Sequence, residues 1–204
     1  MYKFPYYTEQ DMEKVIAFMQ ANSFAIVTGA GEKYPVATQI PLEIKIDQDK
    51  IFLQGHIMRK TDHHLAFEKN SNVLVLFTGP HCFVSASWYT NPSVGSTWNY
   101  MTVHAKGTIR FMTEMETRDA VKTVSDKFEG TVSAGAFDKL PQDYIDHMMK
   151  AIVGFTIEVE SIDNVFKLSQ NRDEASQKNI IEQLRKRGDD NSVMIADEMN
   201  RRLK

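Results

Sequence analysis

The sequence predicts an α+β fold, mainly β: a six-stranded antiparallel sheet closing into a small barrel, with inserted helices and a C-terminal helical extension. Three observations carry this. Alternating apolar residues recur along 35–47, 97–112 and 152–160, the period of a strand with one buried face. Most connections between the strands are short, which favours antiparallel pairing, and closure removes exposed sheet edges. The composition, 42% apolar and 25% charged over 204 residues, is that of a globular chain and excludes collagen, coiled coil and disorder. A chain of this size buries roughly 70% of its unfolded surface, so its core needs no disulfide or metal.

The elements follow in order. Thr8 as N-cap, with Met12, Val15, Ile16 and Met19 at helical spacing, predicts an amphipathic helix. Residues 24–28 are a short β-branched strand ending in Gly29-Ala30-Gly31. Residues 35–47 alternate throughout, with Pro41 marking an edge strand or a bulge. The turn Asp47-Gln48-Asp49 returns the chain as 50–56, a hairpin. Thr61 to Asn70 bound a short helix. Residues 72–77 and 83–89 form one long strand interrupted at Gly79-Pro80, and 97–112 form another. Thr113-Glu114-Met115-Glu116 is a capping box. It opens a helix with Thr117, Val121, Val124 and Phe128 as its buried face. Pro141 starts a helix carrying Tyr144, Ile145, Met148 and Met149, and 152–160 is the last strand. Two helices separated by Gly188-Asp189-Asp190 close the chain. The expected division is 1–168 for the barrel and 169–204 for the extension.

Charge and cysteine content narrow the function. Lys plus Arg is 24 and Asp plus Glu is 27, a net charge of −3. A protein built to grip duplex DNA carries a basic excess. Residues 167–204 hold nine basic and seven acidic side chains, leaving 15 and 20 in the rest, so only the tail is slightly basic. Cys82 is the only cysteine, which excludes an intrachain disulfide and a thiolate metal cluster. The longest strongly apolar run, 73–77, is far short of the ~20 residues that cross a bilayer. The first residues, MYKFPYYTEQD, contain no apolar stretch of signal-peptide length. The expectation is a cytoplasmic protein with no membrane partner.

Three segments carry candidate chemistry. In 54–64 a strand ends, Arg59 and Lys60 follow, and a helix starts at Thr61. A phosphate monoester is matched by an Arg fork, a Lys point charge and the amides of a helix start. Gly55 permits close backbone approach. The same residues also fit a solvated Arg-Lys loop before an ordinary capped helix. His63 and His64, being helical neighbours, point about 100° apart and cannot both bind one metal; no metal is expected. His81 and Cys82 receive no role. In 97–107, Met101, Val103, Ala105, Ile109 and Phe111 form the inward row. Trp98, Tyr100, Thr102, His104, Lys106 and Arg110 then face outward, as a subunit interface, a ligand platform or a surface under an inserted helix. Ser85, Ser87, Trp88 and Tyr89 add hydroxyls and rings suited to a flat heterocycle. The third segment, Phe166-Lys167-Leu168-Ser169-Gln170-Asn171-Arg172, is a polar run after the last strand, which reads equally as a helix-initiating loop. No serine or cysteine nucleophile constellation, glycine-rich phosphate loop or paired-carboxylate pattern is legible.

With these segments placed, the chain resembles the PaiB-type family of flavin-binding split barrels, often labelled negative transcriptional regulators. The match rests on MYKFPYYTEQD, GHIMRKTDHH, the pair SASWY and STWNYMTVHAKG, and KLSQNR, in that order along the chain. The resemblance implies a six-stranded split barrel that dimerises, with FMN at the subunit interface. Arg59, Lys60 and Thr61 would hold the phosphate, and Gly55 and His56 would line the ring or ribityl chain. Trp98, Asn99, Tyr100 and His104 would form the dimer-facing wall, with Lys167, Ser169 and Gln170 closing the site from the partner subunit. The leading function is thus a homodimeric FMN-binding protein with a regulatory role. The alternatives are a flavin reductase or oxidase, a haem-binding barrel, and a DNA-binding repressor using the cluster Leu184-Arg185-Lys186-Arg187-Gly188.

Overall fold

The computed structural model describes Met1 and residues 4–203. Six α-helices and seven strands occur among these residues. They run α1 (Met12–Ala21), β1 (Phe24–Gly29), β2 (Val36–Pro41), β3 (Glu43–Asp47), β4 (Lys50–Met58), α2 (Asp62–Lys69), β5 (Asn72–Val84) and β6 (Thr97–Phe111). Then follow α3 (Glu114–Phe128), α4 (Gln142–Ala151), β7 (Ile152–Lys167), α5 (Glu174–Arg187) and α6 (Asp190–Arg202). The strands form one sheet in the order β2-β1-β5-β6-β7-β4-β3.

The sheet therefore has seven strands, not the six expected, and the reason lies at Pro41. The alternating run 35–47 is two strands. β2 pairs antiparallel with β1 from Phe24↔Pro41 to Gly29↔Val36, while β3 pairs antiparallel with β4 from Glu43↔Gln54 to Asp47↔Lys50. Between them Leu42 turns inward, 2% exposed, and its amide donates to the Ser23 carbonyl at 2.9 Å. Pro41 has no amide hydrogen to continue a ladder, so pairing changes partner there. One residue thus carries the chain from one edge of the sheet to the other, which requires the sheet to curl.

Several other elements differ in extent. The Asp11 carboxylate accepts from the Glu13 amide at 3.1 Å and the Val15 amide reaches the Asp11 carbonyl at 3.2 Å. Asp11, not Thr8, therefore begins α1; Thr8 instead donates to the Phe4 carbonyl. β5 runs unbroken through Gly79-Pro80. Its register with β1 ends at Leu76, so Pro80 lies beyond that ladder, and a Cβ on Gly79 would come within 2.6 Å of the Phe18 ring. The strand stops at Val84, because the Ser85 hydroxyl accepts from the Ser87 amide and opens a 3-10 turn over Ala86–Trp88. On α3, Thr117 and Val121 are buried but Phe128 is exposed. β7 extends seven residues past the expected end at Glu160, to Lys167.

The chain divides into two compact units. The first comprises Met1–Met19, Thr78–Val103 and Asp163–Lys204, the second Gln20–Phe77 and His104–Ile162. In the first, α5 and α6 pack as a hairpin through Ile180, Leu184, Ile195 and Met199, each at most 2% exposed. Gly188 at φ 78° ends α5, and the Asp189 carboxylate accepts from the Ser192 amide to start α6. In the second, Val27, Leu53, Val75, Phe77, Phe155 and Ile157 form the fully buried sheet face. A satellite cluster of Val121, Phe137, Ile145, Met149 and Ile152 seats α3 and α4.

Candidate functional site

In the second unit the segment after β4 forms a cationic cradle at a helix start. The Arg59 amide donates to the Ala151 carbonyl at 2.8 Å, fixing where the strand ends. Lys60 then adopts φ 63°, a left-handed conformation that costs a non-glycine residue about 1–2 kcal/mol. The turn is held by its neighbours. The Lys60 amide donates to His64 Nδ1 at 3.3 Å. The Thr61 hydroxyl donates to the Met58 carbonyl at 3.0 Å and accepts from the His64 amide at 3.4 Å, capping α2. Because His64 Nδ1 is an acceptor, its proton is assigned to Nε2, which faces Glu68 at 3.8 Å. His64 is buried against the Phe111 ring at 4.9 Å, so its role is to shape the turn. The Asp62 carboxylate is bound by the His63 amide at 2.8 Å and faces the His63 ring at 3.1 Å. Arg59 and Lys60 are exposed, and neither forms an ion pair with a described residue.

Gly55 and His56 stand one turn of the pleat upstream. Gly55 faces the core, where a Cβ would come within 3.0 Å of both Leu42 and Phe155; packing explains the missing side chain. His56 points to the other face, into a hollow of about 10 Å³ shared with Glu43, Gln54 and residues of α3. Burial holds its pKa below the ordinary histidine value. On β6 in this unit, His104 and Thr108 are half-buried and Lys106 and Arg110 exposed, while Ala105 and Ile109 face the core.

In the first unit β6 carries an exposed aromatic patch. Trp98 is 54% exposed, with His81 and Phe83 of β5 each 6.1 Å from its ring. Tyr100 and Thr102 continue the same face, half-buried. Asn99 points the other way and is fully buried. It accepts from the Ser169 hydroxyl at 3.0 Å, and its amide donates to Met199 Sδ at 3.4 Å. Gln170 is committed to its own loop, donating to the Phe166 carbonyl and accepting from the Leu168 amide. Lys167 donates to the Thr97 hydroxyl and lies 5.9 Å from the centre of the Tyr7 ring. Lys167 and Ser169 border a polar cavity of about 220 Å³ together with Tyr7, Thr97, Asn171 and Arg172. The structure thus brings Lys167 and Ser169 to one cavity with Tyr7 and Arg172, and leaves Gln170 out of it. Tyr7 lies 160 residues before Lys167, so no local pattern signals it; Arg172 was visible only as the end of the third polar run. Two cations of the cluster after Leu184 are engaged within the unit. Arg185 pairs with Asp197 at 3.0 Å, and Arg187 donates to the Phe83 carbonyl at 3.0 Å and covers the Trp88 ring.

A curled antiparallel sheet with an arginine-lysine pair at a strand end, next to a capped helix start, is suited to holding a cofactor by its phosphate. Comparison with known proteins identifies the class. Residues 1–161 match the family described as "Putative FMN-binding domain", and the chain belongs to that family, with FMN as its cofactor. The chain is 35% identical over 205 residues to Protease synthase and sporulation protein PAI 2 of Bacillus subtilis, covering 100% of this chain and 99% of that one. The fold is similar to solved structures. The flavocytochrome Anf3 of Azotobacter vinelandii superposes with a TM-score of 0.60 at 14% identity, covering 81% of this chain and 72% of that one. The FAD and heme binding protein of Mycobacterium smegmatis gives 0.58 at 16% identity, covering 85% and 78%.

The donor set fits FMN. Two cations with no carboxylate partner among the described residues match a phosphate dianion, while the His63 and His64 amides in the first turn of α2 are already taken by the Asp62 and Thr61 side chains. Asp62, the one acid in that turn, is turned onto His63. No helix among the described residues is long and apolar enough to cross a membrane.

Proposed function

We propose that the protein is a homodimeric FMN-binding protein with a regulatory role, and that Arg59, Lys60 and the start of α2 hold the FMN phosphate. The observation that carries the reading is Lys60 at φ 63°. A lysine kept in a strained conformation by its neighbours, with its side chain exposed, points to a ligand that uses the charge. Thr61 serves this site as the cap that positions the α2 amides. Bound FMN supplies one- and two-electron redox chemistry; the chain's part is to anchor and orient it.

Dimerisation is supported by the exposed patch of Trp98, Phe83 and His81. Leaving such rings in water forgoes about 25 cal/mol for each Å² that could be covered, and a two-fold contact is the commonest cover for such a face. The regulatory role rests on full-length similarity to a protein named for sporulation. Direct DNA binding through the α5 end is not favoured, because Arg185 and Arg187 are occupied within the unit. An absorption spectrum of the purified, FMN-reconstituted protein tests the cofactor reading. Flavin bands that co-elute with the protein are the expected outcome, and a Soret band without flavin would replace FMN by haem.

A further inference from the structure

The cavity of the first unit has a chemistry of its own. We propose that it is a binding site for a small oxyanion, the carboxylate or phosphate group of an organic ligand, with Lys167 and Arg172 as its two charged contacts. This goes beyond FMN anchoring at Arg59 and Lys60, and it does not rest on that reading.

Lys167 and Arg172 border one cavity of about 220 Å³, and neither forms an ion pair with a described residue. Like charges brought together without an anion oppose each other. Here burial, and then the nearby Arg172, hold the Lys167 pKa below the ordinary lysine value. An oxyanion between them would reverse both effects.

The two cations are also held in place. The Arg172 amide donates to the Ser169 carbonyl at 2.9 Å, closing a turn. Its guanidinium lies 4.4 Å from the centre of the Tyr89 ring, which orients the planar fork while leaving its edge without a described hydrogen-bond partner. Lys167 gives one proton to Thr97 and has two more to give. Ser169, at the base of the turn, sits at φ 59° and is fixed by its buried bond to Asn99. Strain of this kind persists where the surroundings over-determine it and is concentrated at ligand sites. Tyr89, under Arg172, carries the one buried side-chain oxygen without a hydrogen-bond partner among the described residues.

The test is calorimetric titration of the full-length, FMN-loaded protein with inorganic phosphate and, separately, with succinate. The expected result is binding of at least one probe, weakened about tenfold or more in Lys167→Met and in Arg172→Gln. Arg172→Lys, which keeps the charge, should retain part of the affinity, and Lys186→Met, which removes an exposed cation that does not line the cavity, should bind the probe as the parent does. Binding of phosphate alone assigns a phosphate ester, succinate alone a carboxylate, and both a general oxyanion site. The proposal is overturned if neither probe binds, if folded Lys167→Met and Arg172→Gln bind unchanged, or if Lys186→Met loses the probe as fully as they do. Thermal unfolding of each variant establishes that it is folded.

Discussion

Ser169 and Asn99, 70 residues apart, meet in a buried hydrogen bond of 3.0 Å, and Asn99 also donates to Met199. One amide thus ties β6 to the loop after β7 and to the terminal helix. Asn99→Ala removes the acceptor and leaves the Ser169 hydroxyl, 3% exposed, without its partner. A buried polar group so orphaned costs about 1–3 kcal/mol, and denaturant unfolding should register that loss. Ser169→Ala alone should cost less, and the double variant should cost less than the sum of the two.

Anion binding at the first-unit cavity should carry a lysine limb in its pH profile. The folded chain holds the Lys167 proton less tightly than the unfolded chain does. The charge therefore opposes folding below the lowered pKa, and that cost disappears as pH rises toward the ordinary lysine value of about 10.4. Binding has the opposite sign, because the oxyanion needs the charged amine. Affinity for the better of the two probes should fall as pH rises through the lowered pKa. In Lys167→Met this limb should vanish, leaving a weaker and flatter profile; phosphate or succinate titrations at a series of pH values read both.

Cys82 is predicted to be inert. Burial pushes its thiol up to about 11, with Arg187 opposing the shift and Asp189 adding to it. Near pH 8 about one molecule in a thousand then carries the thiolate, against roughly a quarter for an unperturbed thiol of pKa about 8.5. Reaction with a thiol reagent should be slow in the native protein and fast in denaturant. The raised pKa also means that its contribution to stability, complete below about pH 8.5, is lost as pH rises toward about 11.

The aromatic patch on β5 and β6 gives the dimer its test. Trp98→Glu places a charge beside His81 and Phe83 on a face already open to water, so folding should be little affected. Sedimentation equilibrium should show the parent as a dimer and the variant shifted to monomer. A parent that stays monomeric with FMN bound would remove the homodimer from the proposal.

The two candidate regions were unequally legible in the sequence. Arg59, Lys60 and Thr61 are consecutive, and strand end, cations and helix cap are all local signals, so the order of residues revealed the cradle. The left-handed Lys60 was not legible, because nothing in the residue type calls for it; His64 imposes it from the next turn. The first-unit cavity depends on contacts of long sequence separation, Tyr7 with Lys167 and Asn99 with Ser169, which no periodicity encodes. Alternation placed Met101, Val103, Ala105 and Ile109 of β6 in the core as found, but the resemblance set Asn99 on the outward wall with Trp98, Tyr100 and His104, whereas Asn99 shares the buried side of the strand. The strand count missed because period-2 alternation passes unbroken through Pro41-Leu42, while hydrogen-bond pairing, which the pattern does not record, changes partner there.

The central claim is that the Arg59-Lys60 cradle anchors FMN, and titration of FMN into the parent and into Arg59→Ala/Lys60→Ala tests it most directly. Each charge-assisted bond to phosphate contributes roughly 1.5–3 kcal/mol, so losing both should weaken binding by on the order of 100-fold or more. The variant should unfold at the same temperature as the parent without FMN, since both side chains are exposed. Unchanged FMN affinity in the folded double variant would contradict the account and place the phosphate elsewhere.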